Sequence, residues 1–184
     1  MGYNYSSKGY NKENMARAIG ISLPISFKHS VEICNCVRNK NVNYVKDFLN
    51  DVANKHQAVP FRKFNMNVGH KKGMASGRYP KKASMEILSL INSVEANAQF
   101  KGLNTANLVI THINANKSSK VVRSGRKRSR ESKRTNVEVV VQEKADKKPK
   151  EKKEAKKIGS KRPEEEKQKA SGNKKVNNVK IDKK

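Results

Sequence analysis

Residues 108–142 read L-V-I-T-H-I-N-A-N-K-S-S-K-V-V-R-S-G-R-K-R-S-R-E-S-K-R-T-N-V-E-V-V-V-Q. The two ends of this stretch, 108–115 and 137–142, are short and rich in β-branched residues, as is typical of strands. Between them lie nine lysines and arginines, one acid and no aromatic residue. Two strands that flank a compact insertion predict an antiparallel hairpin, here with a long basic tip near residues 125–130.

The residues before this hairpin predict one strand and three helices. Apolar residues alternate at 19, 21, 23 and 25, which indicates a strand, and Gly20 and Pro24 favour an edge position for it. Three apolar stripes at helical spacing follow, and the longest of these helices is predicted over 81–100. The stripes are Phe27, Val31, Cys34 and Val37; Val42, Val45, Phe48, Leu49 and Val52; and Ala83, Ile87, Ile91, Val94 and Ala98. This order predicts an α+β domain with three helices packed on one face of a small antiparallel sheet.

Changes in composition divide the chain into three parts. Residues 1–18 predict an irregular basic arm, and 19–143 predict one compact domain with the hairpin extension at 108–142. Within it, 59–79 contain three glycines and five basic residues, which favour an exposed loop. Residues 144–184 are a low-complexity tail of lysine and glutamate, too polar to offset the entropy of ordering, so we expect them to be disordered when free.

Net charge limits the classes of partner. The chain has 184 residues, with 42 Lys and Arg against 16 Asp and Glu, for a formal net charge of +26. A phosphate backbone is the commonest partner for so much positive charge. No apolar run approaches the ~20 residues of a membrane-spanning helix, and the N-terminus lacks the pattern of a signal peptide. We therefore expect a cytosolic or nuclear protein with no membrane partner.

The basic residues most suited to RNA form two constellations. The first surrounds the aromatic residues Phe61, Phe64 and Tyr79, a mixture that can grip a backbone and stack on exposed bases. Its members are Arg62, Lys63, Arg78, Lys81 and Lys82, with Lys71 and Lys72 between them. The second lies in the hairpin and comprises Lys117, Lys120, Arg123, Arg126, Lys127, Arg128, Arg130, Lys133 and Arg134. The plainer alternative for both is a solvated loop with no partner.

Residues that could support catalysis or hold a cofactor are scarce. There is no Gly-rich phosphate loop, and the four histidines show no zinc-type spacing. Cys34 and Cys36 would point about 200° apart on a helix, so they cannot bridge each other there and are expected to be core or half-buried thiols. We therefore expect no enzyme, no metal and no cofactor.

Several motifs together resemble a known family. They are V-P-F-R-K-F at 59–64, G-R-Y-P-K-K at 77–82, E-A-N-A at 95–98, K-G-L at 101–103, L-V-I-T-H-I-N-A-N-K at 108–117 and K-R-T-N-V-E-V-V-V at 133–141. In this order they closely resemble universal large-subunit ribosomal protein twenty-two, which is large-subunit protein seventeen in eukaryotes, over roughly residues 15–143. The loop before Gly77 is similar to the eukaryotic and archaeal form, although 69–77 is shorter than in that form.

The resemblance implies a small α+β domain that binds rRNA near the exit of the nascent-peptide tunnel. It also implies that the hairpin lines the tunnel wall near the extended loop of ribosomal protein L-four, with transient contact to the nascent peptide. The residues best placed for this are Ser124, Gly125, Arg126, Lys127 and Arg128, although the tip lacks the spacing usual in the family. Partners would be large-subunit rRNA and neighbouring ribosomal proteins rather than a second copy of this chain. The location would be the cytoplasmic ribosome, with nuclear or nucleolar assembly in a eukaryote.

Two other functions fit parts of the sequence. Composition alone fits a free-standing nucleic-acid binder, such as a chromatin protein or RNA chaperone, about as well. Against that alternative, the hairpin has no internal means of order, which favours a protein that exists within an RNA assembly. An enzyme acting on RNA fits least well, because it would need acid, base or metal candidates. At about 3.3 Å per residue, the ribbon is expected to project on the order of 40 Å.

Overall fold

The structure is a computed structural model that describes residues 3–144. Three helices are present in this range: α1 (Phe27–Val37), α2 (Val42–Ala53) and α3 (Lys81–Phe100). The strands are β1 (Met15–Leu23), β2 (Val59–Pro60), β3 (His70–Lys71), β4 (Met74–Arg78), β5 (Leu108–Lys117), β6 (Val121–Val122), β7 (Glu131–Ser132) and β8 (Thr135–Glu143). Apart from Lys144, the predicted tail lies outside the described residues.

The main sheet has three antiparallel strands in the order β1-β8-β5. β5 and β8 form the predicted hairpin, with pairing that runs from Leu108 opposite Glu143 to Lys117 opposite Thr135. β1 lies at an edge, as Gly20 and Pro24 indicated. All three helices pack on one face of this sheet, so the predicted α+β architecture is confirmed.

The core lies between the helices and that face. The stripes predicted for α2 and α3 are both buried, and α3 has the predicted bounds. From β8, Val137, Val139 and Val141 contribute to the core. β5 contributes Leu108, Ile110, Ile113 and Ala115, and a register shift between Ile110 and His112 explains how residues at odd spacing share one face.

β1 departs from its prediction in two ways. The strand begins at Met15, within the segment predicted to be an irregular arm. Ala16 is fully buried, whereas Ile21, one of the alternating apolar residues, is 62% exposed. A bulge between Gly20 and Leu23 explains the difference, because an extra residue there reverses which side chains face the sheet interior.

The 59–79 segment is more ordered than the predicted exposed loop. β2, β4 and β3 form a small sheet in which Val59 pairs with Arg78 and Pro60 with Gly77. Val59 and Phe61 are buried in the main core. A Cβ atom at Gly77 would lie 2.8 Å from the Met74 sulfur, so this strand position favours glycine. Basic side chains of the segment are therefore presented from a folded scaffold.

The hairpin extends beyond the main sheet as a thin ribbon. Past the Lys117–Thr135 pair, β6 and β7 hold it together through Val121 opposite Ser132 and Val122 opposite Glu131. These two valines are 51% and 59% exposed, so the ribbon lacks a core of its own there. At about 3.3 Å per residue, the eight residues from 118 to 125 can extend at most about 26 Å. This limit is below the ~40 Å expected, because the core sheet takes up more of each strand.

The N-terminal arm covers part of the opposite face of the sheet. Glu138 of β8 points to this face and is 1% exposed. Its carboxylate accepts hydrogen bonds from the Ser6 amide, at 3.0 Å, and from the Ser6 hydroxyl. His112 Nε2 lies 3.3 Å from the same carboxylate. The arm is thus attached to the sheet at a buried charge.

Replacing Ser6 by alanine is expected to free this arm. Burial raises the pKa of Glu138, but hydrogen bonds from Ser6 and an interaction with His112 outweigh burial and hold the pKa below its usual value. Their stabilising contribution is present above the unfolded-state pKa of about 4.3 and is lost as pH falls through the lower folded-state pKa. Ser6→Ala should raise the Glu138 pKa and lower the free energy of unfolding by about 1 kcal/mol at neutral pH.

An NMR titration of the Glu138 carboxyl measures the first effect, and urea unfolding measures the second. Ser7→Ala is the matched control, because the described structure gives the Ser7 side chain no hydrogen bond of its own. An unchanged Glu138 pKa in Ser6→Ala would contradict this account of the arm.

Candidate nucleic-acid interface

A buried carboxylate fixes the turn that carries the first basic constellation. Glu32 of α1 is 1% exposed and accepts three backbone hydrogen bonds from the 59–79 segment. The donors are the amides of Arg62, Lys63 and Phe64, at 3.2, 2.8 and 2.7 Å. With its backbone held inward, this turn leaves the Arg62 and Lys63 side chains exposed.

Phe61 is the apolar anchor of the same constellation. It is 4% exposed, and its ring meets His29 edge-on at 5.6 Å between centroids. The Arg78 guanidinium lies 5.8 Å from the Phe61 ring, within the range of a cation–π contact. The Phe61 ring therefore belongs to the core and is not free to stack on a base. Lys81 and Lys82 stand exposed in the first turn of α3.

The hairpin side chains project from the ribbon. Its tip is a short turn at Gly125–Lys127, closed by a hydrogen bond from the Arg123 amide to the Arg130 carbonyl at 3.0 Å. Gly125 has a φ of 78°, a conformation that favours glycine, so the bend predicted there is confirmed. The exposed tip residues are Arg123, Ser124, Gly125, Arg126, Arg128 and Arg130, and Lys127 belongs to the same turn.

Two of the basic hairpin residues form an ion pair or a hydrogen bond within the described protein. Lys120 forms an ion pair with Glu131 across the ribbon. Arg134 donates from Nη1 to the Ser22 carbonyl at 3.2 Å, which attaches the base of the ribbon to β1. Lys117 and Lys133 are exposed at that base. The basic tip and the ribbon base are therefore separate groups of charges.

The first turn of α1 joins the ribbon base to the first constellation, a link that the sequence analysis missed. Phe27 meets Phe64 edge-on at 6.2 Å, and Lys117 Nζ lies 5.6 Å from the Phe27 ring. Burial lowers the pKa of His29, and the positive charges of Arg78 and Lys133 lower it further. The sequence S-F-K-H at 26–29, an aromatic residue among basic ones, was the available signal. We call the surface formed by the first turn of α1, the ribbon base and the first basic constellation the α1 surface.

Comparison with known proteins adds a direct finding. The sequence profile of the family described as ribosomal protein L22p/L17e matches residues 18–142. The chain belongs to this family. The resemblance expected over roughly 15–143 is thereby confirmed.

Archaeal relatives agree with the family match. The large ribosomal subunit protein uL22 of Archaeoglobus fulgidus is 38% identical over 147 residues, which covers 76% of this chain and 95% of the relative. The uL22 of Methanoculleus marisnigri is 39% identical over 151 residues, covering 77% and 96%. That of Methanosphaera stadtmanae is 46% identical over 118 residues, covering 62% and 75%. These matches also support the archaeal and eukaryotic form of the L22p/L17e family.

Membership of the L22p/L17e family confirms that this is a ribosomal protein and not an enzyme. Within residues 3–144, no three His, Cys, Asp or Glu side chains are grouped so that they could hold a metal ion. No helix of this range is long and apolar enough to cross a membrane. Cys34 is buried and Cys36 half-buried, as predicted, and burial raises the pKa of the Cys34 thiol to about 12.

Proposed function

We propose that this chain is a structural component of the large ribosomal subunit that binds rRNA through the α1 surface and the hairpin. The exposed ribbon carries the proposal most strongly. It has basic side chains along its length and no core to hold its position. A two-stranded ribbon is marginal in water. Phosphates along its path would supply both the countercharge and the order.

We further propose that the ribbon reaches the wall of the peptide exit tunnel and that residues 124–128 border the lumen. The α1 surface would hold the domain on rRNA, while the ribbon would carry its tip up to about 26 Å beyond the core sheet. Arginine side chains suit irregular RNA because their planar forks bind phosphates bidentately and stack on bases. Neighbouring ribosomal proteins, L-four among them, and the nascent peptide would be further contacts.

Sucrose-gradient fractionation tests the first part of this proposal. The full chain should sediment with the large subunit and remain there through moderate salt. A free-standing chromatin protein or RNA chaperone would leave the subunit fractions under the same conditions, so that result would favour the alternative. Co-sedimentation with ribosomes would locate the chain in the cytoplasm. In a eukaryotic source, nucleolar staining of the chain would indicate that it is assembled into subunits in the nucleus.

Shortening the ribbon tests the tunnel assignment. Replacing residues 124–130 by a Gly-Asn turn should spare folding, since these residues are exposed, and should leave subunit assembly intact. We expect altered macrolide sensitivity or altered pausing of nascent chains, measured by ribosome profiling. The position of the tip in an intact large subunit is the decisive measurement. A tip on the solvent face would refute the tunnel assignment while leaving the rRNA-binding proposal in place.

A further inference from the structure

A pocket lies between the start of α1 and the base of the ribbon. Its volume is about 360 Å³, within the range of sites that hold small molecules. The lining residues that matter to its chemistry are Phe27, Lys28, Lys117, Lys120, Lys133 and Arg134. Three parts of the chain supply the wall: the start of α1, the end of β5 with the residues after it, and the two residues before β8.

Phe27 gives this pocket an aromatic wall. Phe27 is half-buried, and Lys117 Nζ lies 5.6 Å from its ring, so a base that stacks there displaces this amino group toward its own phosphates. Phe64 meets the ring edge-on, at an interplanar angle of 68°, and thereby supports its orientation. A nucleobase can stack on such a ring whatever its identity, because every base has a π-face.

The remaining wall is positively charged. Five of the lining residues are lysine or arginine, and the described structure places no acidic residue in the lining. The Glu131 partner of Lys120 is nearby, but the two side chains are 61% and 46% exposed, and such surface pairs exchange readily with other ions. Arg134 is fixed by its bond to Ser22. Fixed and mobile cations thus surround one aromatic ring.

We infer that this pocket holds one unpaired rRNA nucleotide, with its base against Phe27 and its phosphates among Lys28, Lys117 and Lys133. Neighbouring bases in the stack cover both faces of a paired base, so only an extruded nucleotide can place a face of its base against the Phe27 ring. A carboxylate-rich peptide could pair with the lysines and arginines but has no base to stack on the Phe27 ring. The inference rests on the proposed rRNA-binding function and adds a site and a ligand to it.

A binding assay with two short RNA stems tests this inference. One stem is fully paired, and the other carries a single bulged fluorescent adenine analogue. The full chain should bind the bulged stem about tenfold more tightly, and the analogue's fluorescence should fall on stacking. Phe27→Leu, which keeps an apolar side chain, should abolish that preference. Phe27→Tyr should retain it.

Controls separate stacking from general damage. Phe100→Leu removes an aromatic residue that is 95% exposed and does not line the pocket, and it should change neither affinity. Urea unfolding of Phe27→Leu checks the fold, and Phe27→Tyr tests the ring independently. Equal affinity of the unaltered chain for both stems would overturn the inference. So would an equal loss of affinity for both stems in Phe27→Leu, or an equal loss of affinity for a polyglutamate peptide, which has charge but no base. Failure of the proposed function can be told apart from failure of this inference, because only the former predicts that the full chain does not sediment with the large subunit.

Discussion

Replacing Glu32 by alanine is expected to lower the free energy of unfolding by about 3–4 kcal/mol and to release the turn at 61–64. The Glu32 carboxylate is buried and accepts from the amides of Arg62, Lys63 and Phe64. Each hydrogen bond to a charged group contributes roughly 1.5–3 kcal/mol, and amides left without an acceptor keep their desolvation cost. Water entering the vacated space would recover part of the loss.

A graded series isolates these hydrogen bonds. Oε1 of Glu32 accepts from Lys63 and Phe64, whereas Oε2 accepts from Arg62. In Glu32→Gln one oxygen remains as an acceptor, but the glutamine NH2 group replaces the other and faces a backbone N–H without bonding to it. We therefore expect the free energy of unfolding to fall by an intermediate amount, about 1–2 kcal/mol. Glu86→Gln on α3 is the matched control and should change stability by less than about 0.5 kcal/mol.

Urea unfolding gives the stability changes, and hydrogen exchange at the three amides shows where protection is lost. Exchange should accelerate at residues 62–64 before the rest of the chain unfolds. Unaltered protection of these amides in Glu32→Ala would show that the carboxylate does not hold the turn. Reduced affinity for rRNA should accompany the release, because the Arg62 and Lys63 side chains would lose their fixed position.

Glu32 shows why part of α1 was not predictable from its own pattern. The apolar stripe Phe27, Val31, Cys34 and Val37 predicted the buried face, but the fully buried positions include Ser30, Glu32 and Ile33. A charged residue in a helix ordinarily faces water, and its burial here depends on amides about thirty residues further along the chain. In α2 and α3 every stripe residue packs against the core, so local periodicity sufficed there.

The small sheet at 59–79 was likewise predictable only in part. Glycines and basic residues correctly indicated turns and exposed side chains, but the pairing of Val59 with Arg78 joins residues far apart in sequence. Pairing of that kind depends on tertiary contacts, here the burial of Val59 and Phe61, and leaves little trace in local composition. The hairpin was predictable because β5 and β8 are long and rich in β-branched residues.

The candidate interface was predictable in parts and not as a whole. Both basic constellations were visible as runs of lysine and arginine, since charge is a property of composition. Their union at the α1 surface was not visible, because it depends on contacts from Phe27 and His29 to the 59–79 segment and from Phe27 to the hairpin. Whether each basic residue meets RNA stays a prediction.

Removing four arginines from the ribbon is expected to weaken binding to large-subunit rRNA by about 10²- to 10³-fold near physiological salt. The variant changes Arg123, Arg126, Arg128 and Arg130 to glutamine in the full chain. All four side chains are exposed, so stability should stay within about 0.5 kcal/mol of the unaltered protein. The loss of affinity follows because each phosphate contact releases a condensed counterion, and four contacts would be lost together.

The salt dependence of binding decides whether these charges act on phosphates. The slope of log affinity against log salt should fall by about 3, since each lost contact removes about 0.7–0.9 from it. A control with the same change in net charge replaces Lys8, Lys12, Lys40 and Lys55, all exposed and outside the ribbon, by glutamine. If both variants lose the same affinity and the same slope, net charge alone governs binding and the ribbon has no specific path along RNA. A larger loss in the ribbon variant is expected, because its arginines are grouped at the tip of one ribbon and can contact neighbouring phosphates together.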